Sequence, residues 1–358
     1  MTNLTNYTSE AITLLSSLIS IPSISREEEK AADFLQTYIE ESGIMTGRSG
    51  NNIWCISPMF DTKKPTILLN SHIDTVRPVN GWRKHPFTAK MDNGKLYGLG
   101  SNDAGASLVS LFETYRYLSV TEQAYNLIFL ASCEEEISGK NGIESVLKQL
   151  PPITLGIVGE PTEMHPAIAE KGLMVLDVYA HGKAGHAARN EGENAIYKAL
   201  DDIQWFRSYQ FPNESPLLGP VKMSVTQINA GIQHNVIPDI CSFVVDIRSN
   251  ECYSNEELFN EICSHVQCET KARSFRLNSS HINIEHPFVK RAIQLGRIPF
   301  GSPTLSDQAL MRFPSVKIGP GKSSRSHTAD EYILLSEIEE AIKTYIKILD
   351  GLVIKQSL

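Results

Sequence analysis

The sequence has few features that would direct it to nucleic acid or to a membrane. Its 358 residues include 33 Lys and Arg against 41 Asp and Glu, giving a net charge of −8 and an isoelectric point near 5.7. This acidic balance argues against a cationic surface for nucleic acid or anionic lipid. No apolar run reaches the roughly 20 residues that a membrane span requires. We therefore expect neither kind of partner.

Closely spaced cysteines and a secretion signal are also lacking. The six cysteines form no C-x-x-C pair and mostly lie in apolar segments, which is typical of reduced, buried thiols and argues against a zinc–thiolate site. Residues 1–7 show no basic region followed by an apolar core, so we predict no signal peptide and a cytoplasmic location. The composition, 41% hydrophobic and 21% charged, indicates a globular protein long enough for two domains.

One apolar stretch, Thr66–Thr75, contains the first sign of chemistry. It reads as a buried strand that ends in His-x-Asp, and residues two apart on a strand project to the same side. A carboxylate beside an imidazole can fix its tautomer and raise its basicity as a metal ligand. His72 and Asp74 are therefore candidates for a metal site, although a hydrogen-bonded loop histidine would give the same pattern.

Acidic residues follow the other predicted strands of this half. The apolar segments 126–133 and 154–158 lead to Glu134–Glu136 and to Glu160, and a glycine-rich turn before a helix carries Asp103. Taken singly, Asp103 could be a helix N-cap and the three glutamates a solvated loop. In open α/β sheets, however, the carboxyl ends of the strands form the binding crevice. The repeated placement favours one shared site.

A second pattern occupies the middle of the chain. Helix and strand signals between residues 171 and 281 follow the order βαββαβ of the ferredoxin-like split unit, with Ala272–Asn278 as the last strand. Signals resembling the first half then resume. We therefore predict a discontinuous domain of residues 1–170 and 282–358, interrupted by an inserted domain of residues 171–281.

The candidate ligands are two histidines and several carboxylates, without thiolates. Such donors suit catalytic zinc-type sites. Two imidazoles and three carboxylates exceed the needs of one open zinc but suffice for two ions about 3.5–4 Å apart that share a carboxylate. The charge of two Zn²⁺ ions would balance three carboxylates and a bridging hydroxide. The strand-end groups in question are His72, Asp103, the Glu134–Glu136 run, Glu160 and His327.

At these residues the sequence resembles the two-zinc aminoacylase and carboxypeptidase family, which includes acetylornithine deacetylase, succinyl-diaminopimelate desuccinylase, carboxypeptidase G and dipeptidases. Ala104-Gly105 stands where Met-Lys-Gly is usual, and Asn190 stands where a proline is usual, so the subfamily stays open. The resembling segments, in the family's order, are Ser71–Val76, Gly98–Asp103, Glu134–Glu136, Gly159–Thr162, Gly185–Ala188 and Ser326–Glu331.

The resemblance implies an α/β fold and a ligand set. The fold would be a zinc-exopeptidase-like catalytic domain with a mixed central sheet and flanking helices, plus an inserted ferredoxin-like lid and dimerisation domain. His72 and Glu160 would bind one divalent ion, zinc or alternatively cobalt. Glu136 and His327 would bind the other, and Asp103 would bridge them.

The resemblance also implies catalytic roles. Asp74 would brace His72, and Glu135 would be the general base, although three identical glutamates leave the register of base and ligand open by one position. The inserted domain would dimerise, and His186 would reach the partner subunit's active site to stabilise the oxyanion. An ordinary lid-loop histidine is the alternative.

Two further residues resemble the family's substrate-binding positions. These are Asn235 and Arg248, and Arg248 would pair with a substrate carboxylate in a bidentate manner unless it is a surface arginine at a strand end. Arg77, Lys84 and Arg189 could form a second anion site for a succinyl tail, or could be surface charges.

We therefore expect a metal-dependent amidohydrolase, a deacylase of N-acyl amino acids, most like acetylornithine deacetylase of arginine biosynthesis. Alternatives are a desuccinylase of N-succinyl diaminopimelate, ornithine or citrulline, a deacylase of N-acyllysine or N-acylcitrulline, and a dipeptidase. A catalytically silent metal-dependent binding protein and a purely structural metal site are alternatives of a different class.

Overall fold

The computed structural model describes residues 4–189 and 191–355. Residues 1–3, which belong to the segment searched for a signal peptide, and Asn190 lie outside the described residues. The described chain forms two compact units. The first unit contains residues 4–168, 282–300 and 306–355, and the second contains residues 169–281, apart from position 190, with residues 301–305. Across the described ranges, no helix is long and apolar enough to cross a membrane.

Helices and strands alternate along most of the chain. Helices α1 to α8 span Leu4–Ile19, Glu29–Glu41, Ala106–Leu118, Ile143–Leu147, Ala195–Ser208, Asn255–His265, Pro287–Gln294 and Leu335–Leu349. Strands β1 to β18 span Gly47–Ser49, Asn52–Ile56, Thr66–His72, Lys90–Asp92, Lys95–Tyr97, Asn126–Ser132, Leu155–Val158, Ala167–Glu170, Met174–His181, Gly185–His186, Lys222–Ala230, Val236–Ile237, Ile240–Arg248, Glu269–Ala272, Ser280–His281, Phe300–Ser302, Ser315–Lys317 and Tyr332–Leu334.

The first unit is built on a mixed sheet. Its strands follow the order β1-β2-β6-β3-β7-β17, in which β3 runs parallel to β6 and β7 while β1, β2 and β6 pair antiparallel. Strands β3, β6 and β7 are buried along their whole length, which explains their near-continuous apolar sequences. Alternate residues enter two separate clusters: Leu69 and Phe129 belong to one, and Leu68 and Leu130 to the other. The sheet therefore has a core on each face.

Helix α3 begins directly after the turn that carries Asp103. A side chain at Gly105, just before α3, would place its Cβ 2.5 Å from the carbonyl oxygen of Gly100 and 2.7 Å from Leu15 Cδ1. Only glycine permits that approach, so the turn that carries Asp103 packs closely on the start of α3 and on α1.

The second unit contains an antiparallel sheet in the order β11-β13-β9-β14, connected as β9-α5-β11-β13-α6-β14. This order and connectivity are those of the ferredoxin-like unit. Inward residues of β9 and β13, such as Leu176 and Phe243, share a core with Phe206 of α5 and Leu258 of α6. The predicted α/β class, with a mixed central sheet, flanking helices and a ferredoxin-like insertion, is confirmed.

The last strand of the second unit was predicted in the wrong place. Strand β14 is Glu269–Ala272, paired with β9, so it ends where the predicted strand Ala272–Asn278 begins. The buried side chain of Asn255 explains the difference, because its amide donates to the carbonyl oxygen of Leu277 at 2.8 Å. The same oxygen also accepts the N–H of Leu173 at 2.9 Å, and the N–H of Arg273 donates to Val175 of β9 at 2.9 Å, so the segment stays beside β9 without continuing strand β14.

Candidate metal centre

Parallel strand ends bring the first three ligand candidates together. His72 closes β3 and lies in register with Ser132 at the end of β6, while β7 leads to Glu160. The His72 Nε2 atom lies 3.4 Å from Asp103 Oδ1 and 3.6 Å from Glu160 Oε1. These three residues therefore offer one nitrogen and two oxygen atoms to a single point.

A second group of three shares Asp103 with the first. His327 Nε2 lies 2.9 Å from Glu136 Oε2 and 3.6 Å from Asp103 Oδ2. In each group the offered atoms lie within 4.8 Å of one another, as in a metal site. Asp103 presents one carboxylate oxygen to each group, so the five predicted ligands converge in a geometry that fits two ions sharing one carboxylate.

The surroundings of His72 fit a cation at Nε2. Its Nδ1 atom lies 2.8 Å from the main-chain oxygen of Asp74, which makes Nδ1 the donor and leaves a lone pair on Nε2. Nε2 is buried, and within the described chain it has no hydrogen-bond partner. A buried imidazole lone pair that faces two carboxylates is suited to a metal ion rather than to another protein group.

The charges of the site also favour divalent cations. Burial, and then the charge of Asp103, raise the pKa of Glu160 to about 8. The hydrogen bond to Glu136 raises the pKa of His327 to about 9. The Glu160 shift comes mainly from burial and then from a neighbouring carboxylate, and the His327 shift comes from a carboxylate; bound divalent ions would neutralise these carboxylates. Imidazole and carboxylate donors without thiolate suit divalent metal ions.

The three adjacent glutamates separate into different environments. Glu134 adopts a left-handed backbone conformation with φ of 54°, and its carboxylate accepts from Asn141 Nδ2 at 2.9 Å. Glu135 and Glu136 follow in a short 3-10 turn, and Glu136 points to His327. Among these glutamates, Glu136 is therefore the member of the ligand cluster, and Glu134 is held away from it.

Glu135 is surrounded by other carboxylates. Burial raises the pKa of Glu135 well above its usual value, against the effect of His72, and the charges of Glu160, Asp307 and Glu136 add to the increase. A buried carboxyl group whose pKa is raised by its neighbours is typical of groups that transfer protons in active sites.

Asp74 contacts both His72 and the turn that contains Glu135 and Glu136. Its carboxylate lies 3.5 Å from His72 Nδ1, farther than its own main-chain oxygen, so the carbonyl is the nearer brace. The two carboxylate oxygens accept the backbone N–H groups of Glu135 at 3.0 Å and Glu136 at 3.2 Å, and Ser25 Oγ donates at 2.7 Å. Asp74 thus orients the segment that carries Glu135 and Glu136.

Two buried carboxylates near the site escaped the sequence analysis. Asp307 accepts from Ser132 Oγ at 2.6 Å, and burial raises the pKa of Asp307 to about 6. Glu331 is buried and accepts three backbone N–H bonds from the turn that carries Asp103. Glu331 ends a segment that carries the family resemblance, and Asp307 lies in a polar turn, but an acidic residue in a polar turn gives no sign of burial.

The second unit brings together two of its three candidates. His186 in β10 pairs with Val236 in β12, and the N–H of Ala187 donates to the oxygen of Asn235 at 3.0 Å. His186 and Asn235 are both exposed on this short ribbon. Arg248 ends β13, where its guanidinium pairs with Asp246 at 2.8 and 3.1 Å.

The three basic residues considered for a second anion site each have a partner of their own. Arg77 pairs with Glu27 at 3.0 Å, Lys84 lies 4.0 Å from the ring centroid of Tyr97, and Arg189 lies 3.9 Å from an oxygen of Glu191. Arg77 and Arg189 are exposed surface charges, and Lys84 is half-buried beside Tyr97.

The mixed α/β sheet, the inserted ferredoxin-like unit and the convergent ligands define a metallohydrolase. The profile of peptidase family M20/M25/M40 matches residues 68–351, and the chain belongs to this family. It is therefore an amidohydrolase, as the family resemblance implied.

Three similar proteins span nearly the whole chain. A putative succinyl-diaminopimelate desuccinylase of Mycobacterium tuberculosis is 25% identical, covering 96% of this chain and 98% of the relative. A [LysW]-lysine/[LysW]-ornithine hydrolase of Sulfurisphaera tokodaii is 28% identical, covering 96% of each. The YXEP protein of Bacillus subtilis, described as a dinuclear metal-binding peptidase of the M20 family, has a TM-score of 0.71 at 18% identity, covering 96% of this chain and 98% of that structure.

Proposed function

We propose that the protein hydrolyses the amide bond of N-acyl amino acids with two divalent ions, zinc or alternatively cobalt. The observation that carries this proposal is the pair of ligand groups that share Asp103, with Glu135 beside them. His72 and Glu160 would hold one ion, and Glu136 and His327 the other. Bound there, the ions would act as Lewis acids and lower the pKa of a water molecule.

Glu135 supplies the proton transfers in this proposal. Its carboxylate accepts a proton from the attacking water and later donates it to the leaving amine. The two N–H bonds from Glu135 and Glu136 to Asp74 fix the position of the turn, so the base and the neighbouring ligand keep one geometry. The raised pKa of Glu135 is consistent with this role.

The inserted domain, proposed to span residues 171–281, supplies substrate contacts. His186 would donate to the developing oxyanion, and Asn235 lies beside it on the same ribbon. Arg248 would pair with a substrate carboxylate in a bidentate manner. Its guanidinium makes a bidentate pair of this kind with Asp246.

We also propose a homodimer through the same domain. In the described part of the sheet, β11 pairs with β13 alone, and the C-terminal half of β11 is exposed. Ile228 on this strand is 53% exposed, and Tyr197 and Leu200 on α5 are 69% and 51% exposed. An unpaired strand edge with apolar side chains is suited to pairing with a second copy. His186 would then act in the partner subunit's active site.

For the substrate, we propose N-acetylornithine, which would place the enzyme in arginine biosynthesis. The Sulfurisphaera relative, named as a hydrolase of [LysW]-ornithine, supports ornithine as the amino acid. The desuccinylase name of the Mycobacterium relative favours succinyl as a second candidate acyl group.

One assay tests the proposal. Protein loaded with zinc or cobalt is incubated with N-acetyl and N-succinyl forms of ornithine, citrulline, lysine and diaminopimelate, and release of the free amine is measured. We expect hydrolysis of at least one substrate, its loss with a chelator and its recovery with metal. Two bound ions with no hydrolysis in the whole panel would overturn N-acetyl and N-succinyl amino acids as the substrate class.

A further inference from the structure

We infer that Glu331 is a positioning residue for the shared ligand Asp103, and that it sets the affinity of both metal positions without contacting either ion. This inference rests on the proposed di-metal function. It concerns a residue to which neither the ligand pattern nor the family resemblance gave a role.

The carboxylate of Glu331 accepts hydrogen bonds from the backbone of the turn that carries Asp103. One carboxylate oxygen accepts the N–H groups of Asn102 at 2.8 Å and Asp103 at 2.9 Å, and the other accepts the N–H of Gly100 at 3.1 Å. The main-chain oxygen of Glu331 accepts a fourth bond, from the N–H of Gly98 at 3.1 Å. One buried residue therefore accepts four backbone N–H groups of the turn and its approach. It lies 228 residues beyond Asp103 in sequence.

A side chain of the Asp103 turn also contacts the segment that leads to His327. The side chain of Asn102 is fully buried, and its Oδ1 accepts the N–H of Lys322 at 3.0 Å while its Nδ2 donates to the oxygen of Lys322 at 3.1 Å. Nδ2 also lies 3.3 Å from Ser326 Oγ, next to His327. The Asp103 turn and the segment that carries His327 therefore hold each other.

This connection matters because Asp103 serves both ligand groups. Its Oδ1 faces His72 and its Oδ2 faces His327, at 3.4 and 3.6 Å. A backbone movement at Asp103 would displace one ligand of each group together. Loss of a partner that orients a metal ligand typically costs 10- to 100-fold in metal affinity.

The surroundings of Glu331 require a carboxylate. The N–H groups of Gly100, Asn102 and Asp103 are donors, so both carboxylate oxygens of Glu331 act as acceptors. Glutamine has nearly the same shape, but its NH₂ group would face N–H donors and leave at least one of them without a partner. E331Q therefore changes the hydrogen bonds with almost no change in volume.

The experiment measures zinc binding to metal-free protein by calorimetry with a competing chelator, together with the visible absorption spectrum of the cobalt-loaded protein. We expect wild type to bind two ions, E331Q to bind both about 10- to 100-fold more weakly, and its cobalt spectrum to change. E331D keeps the charge but is one methylene shorter, so it should weaken binding as well.

A matched control is Asp202 in the second unit. Its buried carboxylate likewise accepts backbone N–H groups, those of Gln267 at 3.1 Å and Cys268 at 2.8 Å. D202N should lower thermal stability yet leave zinc affinity and the cobalt spectrum unchanged.

Three outcomes would overturn the inference about Glu331. They are wild-type affinity in E331Q, a loss in E331Q with full affinity in E331D, and an equal loss in D202N. The first excludes any role in binding, the second reduces the role to charge, and the third reduces it to general stability. Failure of wild type itself to bind two ions would overturn the proposed function instead, so the two failures are distinguishable.

Discussion

At the level of single residues, the site depends on a division of labour among chemically identical side chains. Glu134 hydrogen-bonds to Asn141, Glu136 lies 2.9 Å from His327, and Glu135 is left facing carboxylates. The distinction arises from backbone conformation, because Glu134 is left-handed and the next two residues form a 3-10 turn. Sequence position alone does not assign these roles.

Exchanging each glutamate for glutamine tests this division. We expect E135Q to retain two bound ions and to lose at least about 10²-fold in kcat, because the proton acceptor is removed while the ligands stay. E136Q should weaken binding of the ion held by Glu136 and His327 more than binding of the other ion. Metal content and steady-state kinetics measure both effects, and near-wild-type turnover in E135Q would refute the assignment of the base.

Asp74 gives a second prediction at this scale. In D74N an amide NH₂ group would face at least one of the N–H groups of Glu135 and Glu136, which now donate to the carboxylate. We expect kcat to fall with little change in KM, because the turn that places the base is released. Substitution of Ser25 by alanine removes only the third bond to Asp74 and serves as the milder control. Equal effects of the two changes would contradict the explanation.

At the level of elements, strand ends explain what the sequence predicted, and long-range backbone contacts explain what it did not. Buried parallel strands followed by His or Glu predicted one shared edge of the sheet, and the structure brings His72 and Glu160 close together there. The partner of Glu331, in contrast, is a row of backbone N–H groups 228 to 231 residues away, which no side-chain pattern encodes. The misplaced last strand has a similar cause, since the buried amide of Asn255 donates to Leu277, beyond the residues that β14 pairs with β9.

The loop after His327 provides a prediction about pH. Asp330 accepts the N–H groups of Arg83 at 2.9 Å and Lys84 at 3.0 Å and pairs with the Arg83 guanidinium. The backbone bond from Lys84 and the pairing with Arg83 lower the pKa of Asp330 to about 2. Since the folded pKa lies below the unfolded value of about 3.9, ionised Asp330 stabilises the fold above pH 4, and this contribution disappears as the pH falls towards 2.

The variant D330N should therefore melt at a lower temperature than wild type at pH 7, and the difference should shrink below pH 4. Thermal unfolding followed by circular dichroism between pH 3 and pH 7 measures this. A difference in melting temperature that does not change across the range would show that the charge of Asp330 is not the cause.

At the level of the whole molecule, the predicted dimer, the domain boundaries at residues 171 and 281 and the cytoplasmic location stay predictions. The dimer has a specific test in the exposed edge of β11. Placing a charge there with I228K should block pairing of two edges and give monomers in light scattering. The same substitution at Met45 (M45K), which is 90% exposed in the first unit, serves as the control and should leave the molecular mass of the particle unchanged. A monomeric wild type would contradict the proposed dimer.

Action of His186 in the partner subunit predicts complementation. E135Q and H186A are each inactive in this account, but a mixed dimer would contain one site with both lesions and one with none. Unfolding and refolding the two variants together should therefore restore hydrolysis, whereas refolding either alone should not. No recovery in mixed dimers would place His186 in its own subunit's site or outside catalysis.

The central claim is that five side chains distant in sequence hold a pair of divalent ions, and crystallography with anomalous scattering tests it most directly. Crystals of the zinc-loaded protein, with data on both sides of the zinc absorption edge, should show two peaks about 3.5–4 Å apart. We expect Asp103 between them, His72 and Glu160 on one, and Glu136 and His327 on the other. A single peak, or two peaks without Asp103 as a common ligand, would contradict the account.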